Sequence, residues 1–142
     1  MKRIIAFSLL LTFVLAAFAQ RLPQSTMPPK RELRSAWVST VWGIDWPKQG
    51  APAERQKAEL VRMLDSLKNN NFNAINLQVR SMSDAFYQSS YEPWSSYLTG
   101  TRGKHPGYDP LAFAVSECHK RGMEIHAWIN PYRAKTKGTV EL

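Results

Sequence analysis

Apolar and polar positions along the chain follow two periods, one typical of strands and the other typical of helices. Three segments are rich in β-branched, aromatic and aliphatic residues, and two of them alternate between apolar and polar side chains. Two further segments repeat their apolar residues at the three-, four- and seven-residue spacing of an amphipathic helix. The pattern predicts strands over 35–42, 72–80 and 123–130, and helices over 53–69 and 110–121.

Residue types at the helix ends support these limits. Asp109 and Pro110 suit the cap and the first position of the second helix, and Gly122 follows its last turn. The asparagine run 69–71 suits a left-handed stop after the first helix. The long connection 81–108 has little period of its own, and we expect it to be functional or locally structured.

The order strand, helix, strand, helix, strand predicts a parallel sheet with right-handed crossovers. Strands covered on both faces are apolar throughout, but the second strand carries Asn76, Gln78 and Arg80 on one side. A barrel accounts for this pattern, because outward side chains meet helices while inward ones near the carboxyl ends line a site. We therefore predict an α/β fold, a TIM (β/α)8 barrel of which this chain holds the first three strands and two helices. An antiparallel sheet with one solvated face is the alternative.

The amino-terminal segment has the pattern of a secretory signal. Lys2 and Arg3 precede an apolar run over 4–18, and a small-x-small pattern ends at Ala19. We predict a signal peptide over 1–19 and export to the periplasm or the cell exterior. An uncleaved membrane anchor is the alternative, but the apolar run is short for a span of about 20 residues. We expect no stable membrane anchor.

The rest of the chain divides by composition. Residues 20–33 are rich in proline and polar residues and show no apolar period, so they are predicted to form an extended linker. Residues 34–142 are predicted to form the amino-terminal portion of the barrel domain.

Charge and cysteine content narrow the classes of partner. The net charge is +8, yet the basic residues are dispersed over both predicted helices. Nucleic-acid binding favours a concentrated basic stripe, so we expect no nucleic-acid partner. Such a charge suits attraction to an anionic envelope polymer. The single cysteine, Cys118, cannot form an internal disulfide, and its place on the apolar stripe predicts a buried residue.

The sequence contains no recognisable metal or nucleotide motif. His105, His119 and His126 do not share a ligand spacing. No glycine-rich phosphate loop or Gly-x-Ser-x-Gly elbow follows a predicted strand. We expect no metal and no cofactor.

Polar side chains lie at or just beyond the carboxyl ends of the predicted strands, where barrel enzymes carry their catalytic groups. They include Asp45, Arg80, Asp84 and Asn130. Each has a structural alternative, for example a helix cap for Asp84 and an ion-pair partner for Arg80. His126, inside the third strand, has the alternative of a core histidine.

Aromatic residues accompany these polar groups. Pyranose C–H faces pack on aromatic rings while sugar hydroxyls need directional partners, so this combination is typical of a sugar-binding cleft. Core filling is the alternative for some of the tryptophans. The aromatic residues concerned are Trp42, Trp46, Trp94, Trp128 and Tyr132.

Several blocks of residues, matching in order, carry a family resemblance. They include Trp37–Val41, Ile44–Pro47, Gln78–Arg80, Tyr91–Gly100 and His126–Arg133. Over nearly all of residues 33–134 the chain closely resembles the bacterial glycosyl hydrolase-like 10 family, formerly a domain of unknown function. It departs from the family at Ser83, among other positions, where relatives usually have glycine.

The resemblance implies the amino-terminal part of an exported TIM-barrel glycoside hydrolase. Its substrate would be a polysaccharide or oligosaccharide, with a cell-wall glycan as one candidate. Glycoside hydrolysis needs two carboxyl groups, which we expect beyond residue 142, with Asp45 and Asp84 as less favoured candidates. The residues implied to line the sugar subsites are Asp45, Trp46, Arg80, Asp84, His126, Trp128, Asn130, Tyr132 and Arg133.

Two alternatives to an enzyme fragment remain open at this point. One is a non-catalytic glycan-binding barrel protein of the envelope. The other is a truncated product without function. In the enzyme reading, the 142-residue chain is expected to be inactive by itself.

Overall fold

A computed structural model describes residues 32–134 of the chain. The predicted signal peptide and the linker up to residue 31 lie outside the described residues. The strands are β1 (Ser35–Val38), β2 (Ala74–Arg80) and β3 (Glu124–Ile129). The helices are α1 (Ala53–Asn69), α2 (Ser96–Thr99) and α3 (Pro110–Lys120), with a 3-10 turn at Val41–Gly43. No helix within 32–134 has the length and apolar character needed to cross a membrane.

The three strands form one parallel sheet with β2 in the centre. The α/β class and the parallel order are therefore confirmed, and the antiparallel alternative is wrong. The described sheet is small and open at both edges, so it does not by itself show a closed barrel.

The core lies between one face of this sheet and the helices α1 and α3. Ile75 and Leu77 of β2 are fully buried against the leucine stripe of α1, Leu60 and Leu64. Cys118 of α3 joins the same cluster, which confirms its predicted burial. Burial raises the pKa of the Cys118 thiol to about 11, so the group stays neutral at physiological pH.

The helix ends follow the sequence signals. Asp109 caps α3, because its Oδ1 accepts a 2.9 Å hydrogen bond from the Ala112 amide, and Pro110 occupies the first helical position. Asn71 has the left-handed φ of 63° expected of a stop after α1, and Gly122 has a φ of 60° after α3. Local chemistry therefore sets the limits of both long helices.

Two segments differ from the predicted elements. The first strand ends at Val38 rather than Trp42. The Thr40 and Val41 amides bond to the Gln78 side chain, and the chain then enters the 3-10 turn. The long connection contains the short helix α2, which Ser95 caps and Gly100 ends with a φ of 81°. This connection is thus locally structured, as expected.

A register change separates the ends of β2 and β3. Gln78 pairs with Trp128, but Arg80 pairs with Ile129, so β2 holds one extra residue, Val79, at this point. Such bulges redirect the side chains that follow them. The simple alternation of the sequence would have paired Arg80 with Asn130, one residue further along β3.

Candidate functional site

The carboxyl ends of the three parallel strands place three loops at one edge of the sheet. These are the turn 39–46 after β1, the connection 81–108 after β2 and the segment 130–134 after β3. Most of the residues predicted for the site lie in these loops or in the last positions of the strands. We call this edge the mouth.

Gln78 joins the central strand to the turn after β1. Its side-chain Oε1 accepts hydrogen bonds from the backbone amides of Thr40 and Val41, both 3.0 Å long. The Thr40 hydroxyl donates to the Gln78 carbonyl at 2.9 Å. Two backbone N–H groups aimed at one atom require an acceptor there, so they fix which end of the amide faces the turn.

Asp45 lies in the same turn and is exposed. Its Oδ2 accepts a 2.8 Å hydrogen bond from the Ser39 amide, while the Asp45 amide donates to the Ser39 carbonyl at 3.2 Å. The carboxylate closes the turn and still faces solvent. Its predicted contact with substrate stays a prediction.

Asp84 is 4% exposed and faces its own loop. Its Oδ1 accepts hydrogen bonds from the amides of Ser81 and Met82 at 3.1 and 2.8 Å, and from the Ser81 hydroxyl at 3.0 Å. A general acid needs a proton within reach of the leaving group. This carboxylate is instead engaged as an acceptor by its loop, so the geometry favours support over catalysis.

Arg80 is held on two sides at the end of β2. Its Nε donates to Glu92 Oε1 at 2.6 Å, and another guanidinium nitrogen bonds the Asn130 carbonyl. Hydrogen bonding to Glu92 raises the Arg80 pKa. The ion-pair alternative for Arg80 is therefore what the structure shows. Its partner Glu92 was not predicted for the site, because the residue lies in an aperiodic loop.

Trp128 and Asn130 form a connected pair at the end of β3. The Trp128 indole Nε1 donates to Asn130 Oδ1 at 2.9 Å, and Asn130 Nδ2 donates to the Ser81 carbonyl at 3.3 Å. The Trp128 ring packs edge-on against Trp37 of β1, with centroids 5.1 Å apart. Two aromatic rings thus meet across β2 on the face opposite the helices.

His126 lies on that same face, in register with Asn76 of β2. Its Nε2 is 3.4 Å from Glu124 Oε2, and about half of its side chain is exposed. Both interpretations of His126, a substrate contact and a core histidine inside a barrel, stay predictions. The imidazole is available at the surface of the described residues.

Trp46 does not lie where the sequence predicted. It is 1% exposed, its indole donates to the Gln56 carbonyl at 2.8 Å, and its ring packs near Phe86. A ring covered in this way offers no face to a sugar, so Trp46 is a core residue in this structure.

Tyr132 and Arg133, the last of the predicted site residues, are both exposed. Neither is drawn into the hydrogen-bonded network that joins Trp128, Asn130 and Ser81. Their predicted contacts with substrate stay predictions.

Tyr97 of α2 is a mouth residue that the sequence did not reveal. Burial raises the Tyr97 pKa, and α2 packs against the 3-10 turn that contains Trp42. The charges of Asp84 and Arg133 also act on this phenol. Tyr97 therefore lies near residues of all three loops. In the sequence, only the apolar character of the neighbouring residues indicated that Tyr97 is buried.

The described residues offer no group of three His, Cys, Asp or Glu side chains able to hold a metal ion. The mouth instead presents aromatic faces, amides and one exposed carboxylate. This chemistry suits binding of an uncharged or weakly charged polyhydroxyl ligand.

Sequence comparison finds relatives of the chain among proteins named glycosyl hydrolases. The family model described as glycosyl hydrolase-like 10 matches residues 32–140. The chain is similar to glycosyl hydrolase YngK of Bacillus subtilis, with 46% identity over 134 residues that cover 93% of this chain and 26% of that protein. It is 39% identical to glycosyl hydrolase DigH of Escherichia coli K12 over 78% of this chain and 27% of that protein. The chain thus spans about a quarter of the length of these curated relatives. By this match the chain belongs to the glycosyl hydrolase-like 10 family.

Proposed function

We propose that this chain is the amino-terminal part of an exported glycoside hydrolase that cleaves O-glycosyl bonds in a polysaccharide or oligosaccharide. The observation that carries the proposal is the Trp37–Trp128 ring pair on the sheet face opposite the helices, with Asn130 bonded to Trp128 at the carboxyl end of β3. Family membership gives the reaction class. The ring pair supplies a surface on which that class of substrate can pack.

The proposed architecture is a TIM barrel. Each pair of neighbouring strands is parallel, and the helices α1 and α3 cover one sheet face. The other face carries polar and aromatic side chains, as the interior of a barrel mouth does. A barrel needs eight strands, so five more would come from sequence beyond this segment.

The catalytic carboxylates are proposed to lie beyond residue 142. Within the described mouth, Asp84 accepts bonds from its own loop and Glu92 pairs with Arg80. Asp45 is the mouth carboxylate with an exposed side chain, and it also closes a turn. Hydrolysis needs two carboxyl groups on either side of the scissile bond. This part of the barrel therefore contributes binding, and the later strands contribute the acids.

We propose that the substrate is a cell-wall glycan and that the protein acts on it outside the cytoplasm. The net charge is +8 for the whole chain and +6 once Lys2 and Arg3 leave with the predicted signal peptide, and it favours an anionic polymer. The amino-terminal sequence predicts export. Glycan strands that carry muramic acid have one carboxylate in each disaccharide. Charge would raise the rate of encounter and the rings would provide contact at the mouth.

A non-catalytic glycan-binding protein is the second candidate. The engagement of Asp84 and Glu92 in structural bonds favours it, because such a mouth binds without supplying an acid. The two candidates share the same ligand and differ in whether a bond is broken.

Incubation of the full-length protein with purified muramic-acid glycan strands tests the proposal. We expect new reducing ends, shorter strands by chromatography and saturable binding. Retention of the strands without new reducing ends would establish the binding protein instead. Neither binding nor cleavage of these strands or of a panel of neutral β-linked glucans would refute both candidates.

A further inference from the structure

The turn after β1 combines two features that each lower the stability of a folded protein. Trp42 has a φ of 56°, in the left-handed region that bulky side chains rarely adopt. Gln78 buries its side-chain Nε2 without a hydrogen-bond partner among the described residues. Backbone strain and unpaired buried donors persist mainly where function retains them.

The surroundings hold this turn in its strained form from several directions. Gln78 Oε1 accepts from the amides of Thr40 and Val41, and α2 packs against this turn. The Gly43 amide closes the turn on the Thr40 carbonyl at 3.0 Å. A strained backbone conformation persists only where several neighbouring contacts hold it in place.

The result is a tryptophan whose backbone is fixed and whose side chain is 61% exposed at the mouth. Exposed aromatic residues on flexible loops lose conformational entropy when they bind, whereas a preorganised ring avoids part of that loss. Trp42 differs in this from Trp46, four residues later, which has the same side chain and is 1% exposed. The turn therefore presents one indole and buries the other.

We infer that Trp42 is a stacking platform for a sugar ring of the substrate, and that Gln78 is the positioning residue that holds its turn. This inference rests on the proposed function and adds a binding residue to it. The ring supplies the apolar face, while exposed Asp45 in the same turn supplies an acceptor for sugar hydroxyls. The strain at Trp42 is thus the consequence of aiming the ring at the ligand.

Glycine and phenylalanine substitutions of Trp42 separate strain from binding. Calorimetric titration of the full-length protein with soluble muramic-acid glycan strands is the measurement, with the melting temperature recorded for each variant. Trp42→Gly relieves the left-handed backbone and removes the ring, so we expect affinity to fall about tenfold or more without a fall in melting temperature. Trp42→Phe should keep most of the affinity, because an aromatic face remains.

Gln78 variants test the positioning role. Gln78→Met keeps the length of the side chain but leaves the two turn amides without their acceptor, so affinity should fall. Gln78→Glu restores an acceptor and should recover it. Combined with Trp42→Gly, Gln78→Met should cause little further loss of affinity, because both act through the same ring. If Gln78 had only a structural role, the losses of affinity in the double variant would be additive. Gln78→Glu would then not restore the affinity.

Asn71 provides the matched control. It also has a left-handed φ, 63°, but it lies before β2, at the amino end of the sheet. Asn71→Gly should leave glycan affinity unchanged. Equal affinity in Trp42→Gly and the unaltered protein would overturn the inference. A large fall in the melting temperature of Trp42→Gly would also overturn it, because it would show that Trp42 is buried in the full-length fold.

The same titrations distinguish the inference from the proposed function. Affinity that depends on Trp42, without new reducing ends, would support the platform and contradict the hydrolase. Cleavage that proceeds equally well in Trp42→Gly, with unchanged KM, would support the hydrolase and overturn the platform.

Discussion

The Arg80 guanidinium lies 2.6 Å from the Glu92 carboxylate and joins the end of the central strand to the middle of the long connection. Both side chains are mostly buried, at 16% and 17% exposure. We expect Glu92→Gln to lower the free energy of unfolding by about 1–2 kcal/mol, because a charged partner of a part-buried guanidinium is lost. Urea denaturation measures the change.

Glu54 is the control for that experiment. Its side chain is 86% exposed and pairs with Lys57 on the surface of α1. Exposed pairs contribute little, so Glu54→Gln should change the free energy by less than about 0.5 kcal/mol. Equal effects of the two substitutions would contradict a special role for the Arg80–Glu92 pair.

Gln56 is a buried hydrogen-bonding centre of α1. Its Nε2 donates to the carbonyls of Ala51 and Leu98, each at 2.6 Å, and its Oε1 accepts from the Tyr108 hydroxyl at 2.9 Å. Gln56→Leu leaves these buried groups unpaired, so we expect a loss of about 2–3 kcal/mol in the free energy of unfolding.

Gln49→Leu serves as the reference for this substitution, since Gln49 is exposed. It should change stability by no more than about 0.5 kcal/mol. The melting curves of the two variants, compared with that of the unaltered protein, measure both changes in stability. A similar small change in both would show that the Gln56 bonds are replaced by water at no loss.

Glu117 makes the stability of the described fold depend on acid pH. Hydrogen bonds from Lys120 and Arg121 lower its pKa below the ordinary 4.5. A carboxyl group whose folded pKa is depressed stabilises the fold above its unfolded pKa, and this contribution disappears as pH falls through the folded pKa. Unfolding free energies measured from pH 6 to about pH 3 should therefore decline.

Removing either partner should reduce that decline. Glu117→Gln abolishes the titration, and Arg121→Ala removes one of the groups that depress the pKa, at 2.7 Å from Glu117 Oε2. Both variants should be less stable than the unaltered protein near neutral pH and should differ less from it at low pH. An unchanged slope in Glu117→Gln would contradict the assignment.

Ser83 carries a left-handed backbone with a φ of 46°. The family resemblance leads us to expect glycine at this position, and the left-handed backbone is a physical reason for that residue type. We expect Ser83→Gly to raise the free energy of unfolding by about 1 kcal/mol, since glycine adopts this region without steric strain.

The opposite result is expected for Ser66→Gly. Ser66 is exposed and lies inside α1, where glycine lowers stability by about 0.5–1 kcal/mol. Denaturation of both variants under one set of conditions gives the comparison. Destabilisation by both would indicate that Ser83 contributes through its side chain.

Features set by neighbouring residues were predictable from the sequence, while features set by distant partners were not. Asp109 capping α3, Asn71 ending α1 and the buried Cys118 each follow from local residue types and spacing. The Arg80–Glu92 pair and the packing of α2 against the 3-10 turn join segments whose sequences have no shared period. No pattern within one element could indicate them.

The two tryptophans of the predicted sugar site show the same division. Alternation along β3 placed Trp128 on the polar face, and the structure sets it against Trp37 on that face. Trp46 lies in an irregular turn, where no period indicates which way a side chain points, and it is buried. Residue type alone indicated both tryptophans as candidates for the sugar site. Only the strand period indicated that Trp128 lies on the polar face.

The extra residue at Val79 affects how the mouth can respond to a ligand. Because of it, the Arg80 carbonyl accepts from the Asn130 amide at 3.1 Å, the guanidinium bonds the Asn130 carbonyl, and the Asn130 side chain bonds Ser81. The starts of two loops are thereby joined at three points. One backbone bond and two side-chain bonds fix the spacing between these loops. The width of the cleft on this side is therefore set before a ligand binds.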